Sequence, residues 1–295
     1  MRVTSSGLME SMVRHIQDTS SRLMEMQRQL ASGKRITRVS DDPSGLLTAL
    51  SLRSHLREGR QAQGTLDNAL GWLEATERGL LELQDNLMRA RQLALAAGSA
   101  SAGAEALEAA GREVDQIMRA AADAGNTRYI NEYVFGGLKT TTPPFQVTGS
   151  PLATVTYTGD NGAVVRSLGT AGAVTLNSDL TGAFPQLLNT LAGLRDDLLA
   201  RDADSVRTTR VAELDQRLTT LSATLAEVGA KMRHLHTLQD HLEQGGTRVQ
   251  SVLSRVEDVD MAEAALEMAR AEATYQAVLA LTARALHPGL VAYLR

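Results

Sequence analysis

The chain has 295 residues, a net charge of −4 and 43% hydrophobic content, yet Phe, Trp and Tyr together supply only 3% of it. The mild acidity excludes a nucleic-acid binder that works through a basic surface, and the lack of cysteine excludes thiol catalysis, disulfides and Cys-ligated zinc. With so few large rings, long thin packing of Leu- and Ala-rich helices is expected rather than a thick globular core.

Residues 1–20 carry no basic segment followed by an unbroken apolar run, so no cleaved secretory signal is expected. No stretch approaches the roughly 18 apolar residues of a membrane span. From Met9, apolar residues recur at steps of three and four through Met12, Ile16, Thr19, Leu23, Met26 and Leu30, which predicts an amphipathic helix. Its methionines are read as flexible core filler rather than as a binding groove.

The stretch Arg38-Val-Ser-Asp-Asp-Pro-Ser-Gly-Leu-Leu47 follows. Its adjacent carboxylates raise the question of a metal or catalytic site. Pro43 suits the first turn of a helix, where its missing N–H would be unpaired anyway. Asp42 is then the N-cap, worth about 1 kcal/mol. Asp41 adds charge at the positive end of the helix dipole, and Ser40 completes the motif. No further oxygen ligands follow at metal-binding spacing, so Ser40, Asp41, Asp42 and Pro43 are assigned to starting a helix.

Three more stripes run from Leu66 to Ala97, Leu107 to Ala124 and Phe184 to Leu198. The longest starts at Val211 and ends at Val256, with twelve of its fourteen positions apolar against roughly six expected by chance. Steps averaging 3.5 residues predict coiled-coil packing, over roughly 70 Å of helix. Gly245-Gly246 interrupts this return helix and marks a hinge. Between the helices, Thr154–Thr158 and Ala163–Leu168 flank Gly159-Asp-Asn-Gly162, which predicts a β-hairpin closed by a tight turn. A further strand is expected over Ala173–Leu176.

In the last helix, Val256, Val259, Leu266, Ala273 and Ala277 form one stripe. Met261, Ala265, Met268, Tyr275, Leu279 and Leu286 form another on nearly the opposite side. A helix apolar on two faces needs more than one neighbour, and this predicts self-assembly. Asp258 and Asp260, placed in a helix two residues apart, would diverge. No H-E-x-x-H pair, G-x-S-x-G elbow, phosphate-binding loop or dinucleotide fingerprint occurs. No enzyme, cofactor or metal site is expected.

Leu30-Ala-Ser-Gly-Lys-Arg-Ile36 with Ser40-Asp-Asp-Pro-Ser-Gly45 resembles the N-terminal signature of the bacterial flagellin family. Arg255-Val-Glu-Asp-Val-Asp-Met-Ala-Glu263 and the tail to Arg295 resemble its C-terminal signature. Gly125-Asn-Thr127, Tyr133-Val-Phe-Gly-Gly137 and Thr142-Pro-Pro-Phe145, with the closing His287–Leu294, resemble the branch of that family that joins hook to filament. Arg-Tyr-Ile-Asn-Glu132 makes the step into the Phe-Gly-Gly run longer than in that branch.

The resemblance and the periodicity together imply a mainly α fold. It would be an elongated antiparallel helical rod with the N- and C-terminal helices together and a small β insertion at the far end. Residues 1–60 with 246–295 would form a terminal assembly domain, 61–135 with 184–245 the rod, and 136–183 the β domain. The assembly interface would use Met9, Met12, Ile16, Leu23, Leu30, Val256, Val259, Met261, Leu266, Met268, Tyr275, Leu279, Leu286, Leu290 and Leu294. The resemblance further implies export through the flagellar type III apparatus and a cytoplasmic export chaperone on the C-terminal tail. Outside the cell it implies a homo-oligomeric ring between hook-associated protein 1 and flagellin, with no nucleic acid or membrane as partner.

Overall fold

The computed structural model of the chain describes residues 5–99, 103–149, 152–169, 172–177 and 183–286. Its helices are α1 (Ser5–Ser32), α2 (Pro43–Ala97), α3 (Ala104–Gly125), α4 (Ala183–Leu199), α5 (Val211–Glu257) and α6 (Met261–Leu286). A single turn over Ala203–Ser205 and a π-helical turn over Val206–Arg210 lead into α5. The fold is thus mainly α, with long antiparallel helices and small strand pairs. Two compact units are present. One takes the chain up to Arg57 and from Gln244 onward, and the other spans Glu58–Glu243.

The 58–243 unit holds the larger core. Every position of the Leu66–Ala97 stripe on α2 is buried, as are those of the stripes on α3 and α4. Along α5, Leu214, Leu221, Val228 and Leu235 are buried, while Leu218, Leu225 and Met232 pack partly covered beside them. Each fully buried Leu or Val contributes about 1.5–3 kcal/mol. Arg91 pairs with Asp215, and Gln239 Nε2 donates to Asp67, so α5 runs antiparallel to α2.

The strands form three separate antiparallel ladders. They are β1 (Arg128–Tyr129) with β2 (Glu132–Tyr133), β3 (Phe145–Thr148) with β4 (Thr154–Tyr157), and β5 (Val165–Ser167) with β6 (Ala173–Thr175). The expected hairpin across Gly159–Gly162 does not form, because β4 and β5 each pair elsewhere. The Asn-Gly segment is tied instead to the Gly136–Lys139 turn. Asp160 Oδ1 accepts the Leu138 N–H at 2.7 Å and the Gly162 N–H at 2.9 Å, and Tyr157 Oη donates to Phe135 O at 3.1 Å. Those bonds hold the segment against the preceding turn, where it cannot fold β5 back on β4.

Three phenylalanines are all the chain has, and they meet at one place. Phe135 and Phe145 each lie about 5 Å from Phe184, at 5.0 and 4.9 Å between centroids, with Tyr157 5.1 Å from Phe145. The side chain of Asn126 at the end of α3 bonds both backbone groups of Phe145, at 2.9 and 3.0 Å. Glycines make the close approach possible: a Cβ on Gly79 or Gly125 would fall 2.7 or 2.5 Å from the rings of Phe135 and Phe145. Tyr129 docks on Gly71 in the same way. The β insertion therefore lies beside α2 at Gly71–Gly79. The helices turn back elsewhere, where Gly98 sits against Arg207. The insertion accordingly flanks these helices rather than capping them, because small residues on α2 open a face for the rings.

A buried charge network fastens the stretch before β4. Asp115 on α3 and Arg195 on α4 are 2% and 8% exposed. Asp115 Oδ1 accepts the Ala153 N–H at 2.7 Å and lies 3.2 Å from Arg195 Nη1, which also donates to Ala153 O. Arg119 Nε donates to Asp115 Oδ2 at 3.1 Å. Burial works against the charge on Asp115, but the Ala153 N–H and the two guanidinium groups outweigh it and hold the carboxyl below its ordinary range.

Asp115→Ala leaves the Ala153 N–H without its acceptor and Arg195 with Asp196 as its remaining carboxylate partner, so it should cost about 1–3 kcal/mol in urea unfolding at neutral pH. A depressed carboxylate stabilises the fold above its ordinary value of 3.8 and loses that contribution as pH falls through the lower folded value. The variant's stability should therefore decline less steeply than the parent's in that acid range.

Candidate assembly surface

The smaller unit is organised by a knuckle between α1 and α2. α1 stops at Gly33, whose φ of +69° turns the chain. The following residues run against the end of α5. Arg35 and Ile36 N–H donate to Glu257 O at 2.7 and 3.4 Å, and Val259 N–H donates to Gly33 O at 3.1 Å. Lys34 and Asp258 form an isolated antiparallel bridge, and Arg35 Nη2 donates to Val256 O at 2.8 Å. The Glu257 carboxylate is buried and receives Lys34 Nζ at 2.6 Å together with the Arg53 guanidinium from α2. A charge in this position is held only because it is doubly paired.

The Ser40–Pro43 carboxylates serve two different turns. Asp42 Oδ1 accepts the Gly45 N–H at 2.8 Å and the Ser44 hydroxyl at 2.9 Å, at the start of α2. Asp41 reaches backwards, and its Oδ2 accepts the N–H groups of Thr37 and Arg38 at 3.0 and 2.8 Å. These bonds to the ionised form lower both carboxyls, led by the Gly45 N–H for Asp42 and the Thr37 N–H for Asp41. Asp41 thus caps the preceding turn and not the helix dipole. Gly45 is required here, since a Cβ would sit 2.4 Å from Asp42 Oδ2 and 2.6 Å from Ile36 Cδ1. Among the described residues no group of three or more His, Cys, Asp or Glu could hold a metal ion.

α5 continues unbroken through Gly245 and Gly246, both in open space. The expected interruption is absent, and helical continuity there costs about 1 kcal/mol per glycine against alanine. The real break is at 258–260. Asp258 accepts the Ser254 hydroxyl at 2.5 Å, and Asp260 Oδ1 caps α6 through the N–H groups of Ala262 and Glu263 at 2.9 and 3.2 Å. The two aspartates therefore do not share a helix. Val256 and Val259 belong to the knuckle, off the α6 face.

α1 and α6 pack together, and because Gly33 meets Val259 they run antiparallel. Met12, Ile16, Leu23, Met26 and Leu30 are half-buried on α1, facing a stripe of Ala264, Met268, Tyr275 and Val278 on α6. Only Ala264 is fully buried. Ala264 and Val278 were not among the sequence-derived interface residues, although the three-four spacing from Ala264 marks them. Away from this seam, Met261, Leu266, Leu279 and Leu281 are 51%, 53%, 41% and 61% exposed on α6. Val13 and Met24 are likewise exposed on α1, and none of the described α1 side chains is buried. The side chains of Met9 and Leu286, and all of Leu290 and Leu294, lie outside the described residues.

Glu257→Gln keeps the side chain's size but removes the charge that Lys34 and Arg53 share. It should cost about 1.5–3 kcal/mol. Hydrogen exchange should quicken at 33–36 and 256–264 while α3 and α4 keep their protection.

Residues 4–140 match the family model of the bacterial flagellin N-terminal helical region, and residues 211–294 match that of the C-terminal helical region. The chain is 26% identical to flagellin FlaB2 of Treponema pallidum over 87% of its own length and 86% of that protein. Its fold is similar to that of Bacillus cereus FlgL, with a TM-score of 0.59, 23% identity and coverage of 68% of this chain and 97% of that one. Flagellar hook associated protein-3 from Legionella pneumophila gives a TM-score of 0.61 at 13% identity, covering 70% of this chain and 98% of that one. The two family matches take in both terminal regions and most of the sequence, and the chain belongs to the bacterial flagellin family.

Proposed function

We propose that this flagellar structural protein works at the hook–filament junction as a hook-associated protein 3, a non-enzymatic adaptor that self-assembles into a ring. The observation that carries the assembly reading is the apolar surface left open on α1 and α6, helices that pack against each other along one seam. Sister subunits would cover Leu266, Leu279 and Leu281, each contributing about 1 kcal/mol as its exposed half is buried. Residues 1–60 with 246–295 would make the axial joints, 61–135 with 184–245 the lateral ones, and 136–183 would lie outermost. The ring would meet hook-associated protein 1 on one side and flagellin on the other, after type III export with a chaperone on the C-terminal tail.

The junction role is supported by the run from Gly125 to Phe145, whose Asn126–Phe145 bonds and phenylalanine cluster fasten a compact β part to the helices. A second reading is a short flagellin that polymerises into the filament itself. It is favoured by the names of relatives of similar length, such as the flagellar filament 33 kDa core protein of Treponema phagedenis, 25% identical over 92% of this chain.

Leu266→Asp with Leu279→Asp should leave the 58–243 unit folded but abolish self-association in sedimentation, because a buried unpaired charge is costly. Unchanged assembly would move the joint elsewhere. Gene deletion separates the two roles. Loss of a junction protein should shed unpolymerised flagellin into the medium, whereas loss of a flagellin should leave capped hooks. Antibody labelling of isolated flagella should decorate the hook–filament boundary, and labelling along the whole filament would establish the second reading.

A further inference from the structure

The Asn161-Gly162 pair closes no hairpin, and the fold puts it to another use. Asn161 is the only asparagine of the chain followed by glycine. It is exposed and stands in an irregular stretch between β4 and β5. Its side chain makes no hydrogen bond among the described residues. Glycine is required after it, because a Cβ at Gly162 would fall 2.2 Å from Leu138 Cγ. An Asn-Gly pair is chemically unstable. With no side chain to shield it, the glycine nitrogen can attack the asparagine Cγ and close a succinimide ring, which is one reason asparagine is a thermolabile residue.

That attack needs a released nitrogen, and here the nitrogen is held. Gly162 N–H donates to Asp160 Oδ1 at 2.9 Å, and the same oxygen accepts the Leu138 N–H at 2.7 Å. The Leu138 N–H first and the Gly162 N–H second lower the Asp160 carboxyl below its ordinary range. It is therefore ionised in neutral solution, an acceptor for the Gly162 proton and too weak a base to remove it. Gly162 is fastened from its carbonyl as well. Its oxygen accepts Asn177 Nδ2 at 2.7 Å, and Asn177 Oδ1 accepts the Val164 N–H at 2.8 Å.

We propose that Asn161 is a deamidation and isomerisation site that Asp160 keeps closed. When the Asp160–Gly162 bond opens, the Gly162 nitrogen bonds to Asn161 Cγ and the bond from Cγ to the side-chain nitrogen breaks. Ammonia leaves, carrying the proton of the Gly162 N–H. Water then opens the succinimide at either carbonyl and leaves aspartate or isoaspartate at position 161. No oxidant or cofactor takes part. Isoaspartate adds a methylene to the backbone before Gly162, whose packing against Leu138 has no room for it, so Gly162 is displaced from Asp160 and Asn177. Asp160 is a positioning residue in this chemistry, which does not depend on whether the subunit stands in a ring or a filament.

The full chain is incubated in mildly alkaline buffer, in parallel with the same chain unfolded in guanidinium chloride. Peptide mapping follows the amide-to-acid mass change and isoaspartate at position 161. Opening a hydrogen bond to a charged acceptor slows a reaction about 10- to 100-fold, and the folded chain should convert more slowly than the unfolded one by at least that factor. Asp160→Ala should remove most of the difference. Asp160→Asn, which keeps an oxygen acceptor, should stay nearer the parent. Asn177→Ala loosens the same stretch but leaves the Asp160 bond in place, so it should accelerate conversion less than Asp160→Ala. Equal rates in the folded and unfolded parent would overturn the proposal. So would an Asp160→Ala rate equal to the parent's, an equal acceleration in Asn177→Ala, or conversion without isoaspartate among the products.

Discussion

Two helices packed side by side have one mutual seam, and any apolar residue off that seam must face water or another molecule. α1 and α6 are held to this constraint. Their seam covers Met12, Ile16, Leu23, Met268 and Tyr275 only partly, and Leu266, Leu279 and Leu281 stay exposed. The 58–243 unit differs, because α2, α3, α4 and α5 enclose a core in which the α2, α3 and α4 stripes are buried along their whole length. One chain therefore contains a unit that satisfies its own apolar surface and another that carries a surplus. That asymmetry is the physical basis for reading the protein as a building block.

The surplus surface has to be presented in a fixed direction to be useful, and the knuckle supplies this. Glu257 brings Lys34 and Arg53 to one carboxylate, and the backbone of 33–36 pairs with 257–259. Asp41, Asp42 and Asp260 each close one turn with backbone N–H groups. Asp42 and Asp260 fix where α2 and α6 begin, and Asp41 closes the turn that leads from Gly33 to α2. Their local density, which in isolation suggests chemistry, is accounted for by the number of chain reversals that meet there.

The parts of this architecture that follow a period were legible in the sequence. The stripes of α2, α3, α4 and α5 are continuous at steps of three and four, and every such position in α2 is buried because helical geometry alone decides its face. The residues that depend on distant partners were not legible. Asn-Gly at 161–162 carries the local signature of a hairpin, but Asp160 bonds a turn more than twenty residues earlier. Asp115 and Arg195 lie 80 positions apart, and neither has a local feature that sets it apart from a solvated charge. On α6 the spacing picks out Leu266 and Leu279, which are exposed, and Met268 and Tyr275, which are half-buried. The break at 258–260 was missed, because Asp260 as a cap looks like any acidic residue in a helix, and missing it moved Val256 and Val259 onto the wrong element.

Hydrogen exchange of the purified chain across a dilution series tests the central claim most directly. The account predicts that amides of α1 and α6 exchange far faster than those of α2 and α3 in the dilute lone subunit, and gain protection as subunits associate. Amides of α1 and α6 as protected as the α2–α3 core at the lowest concentration, and unchanged on association, would contradict it.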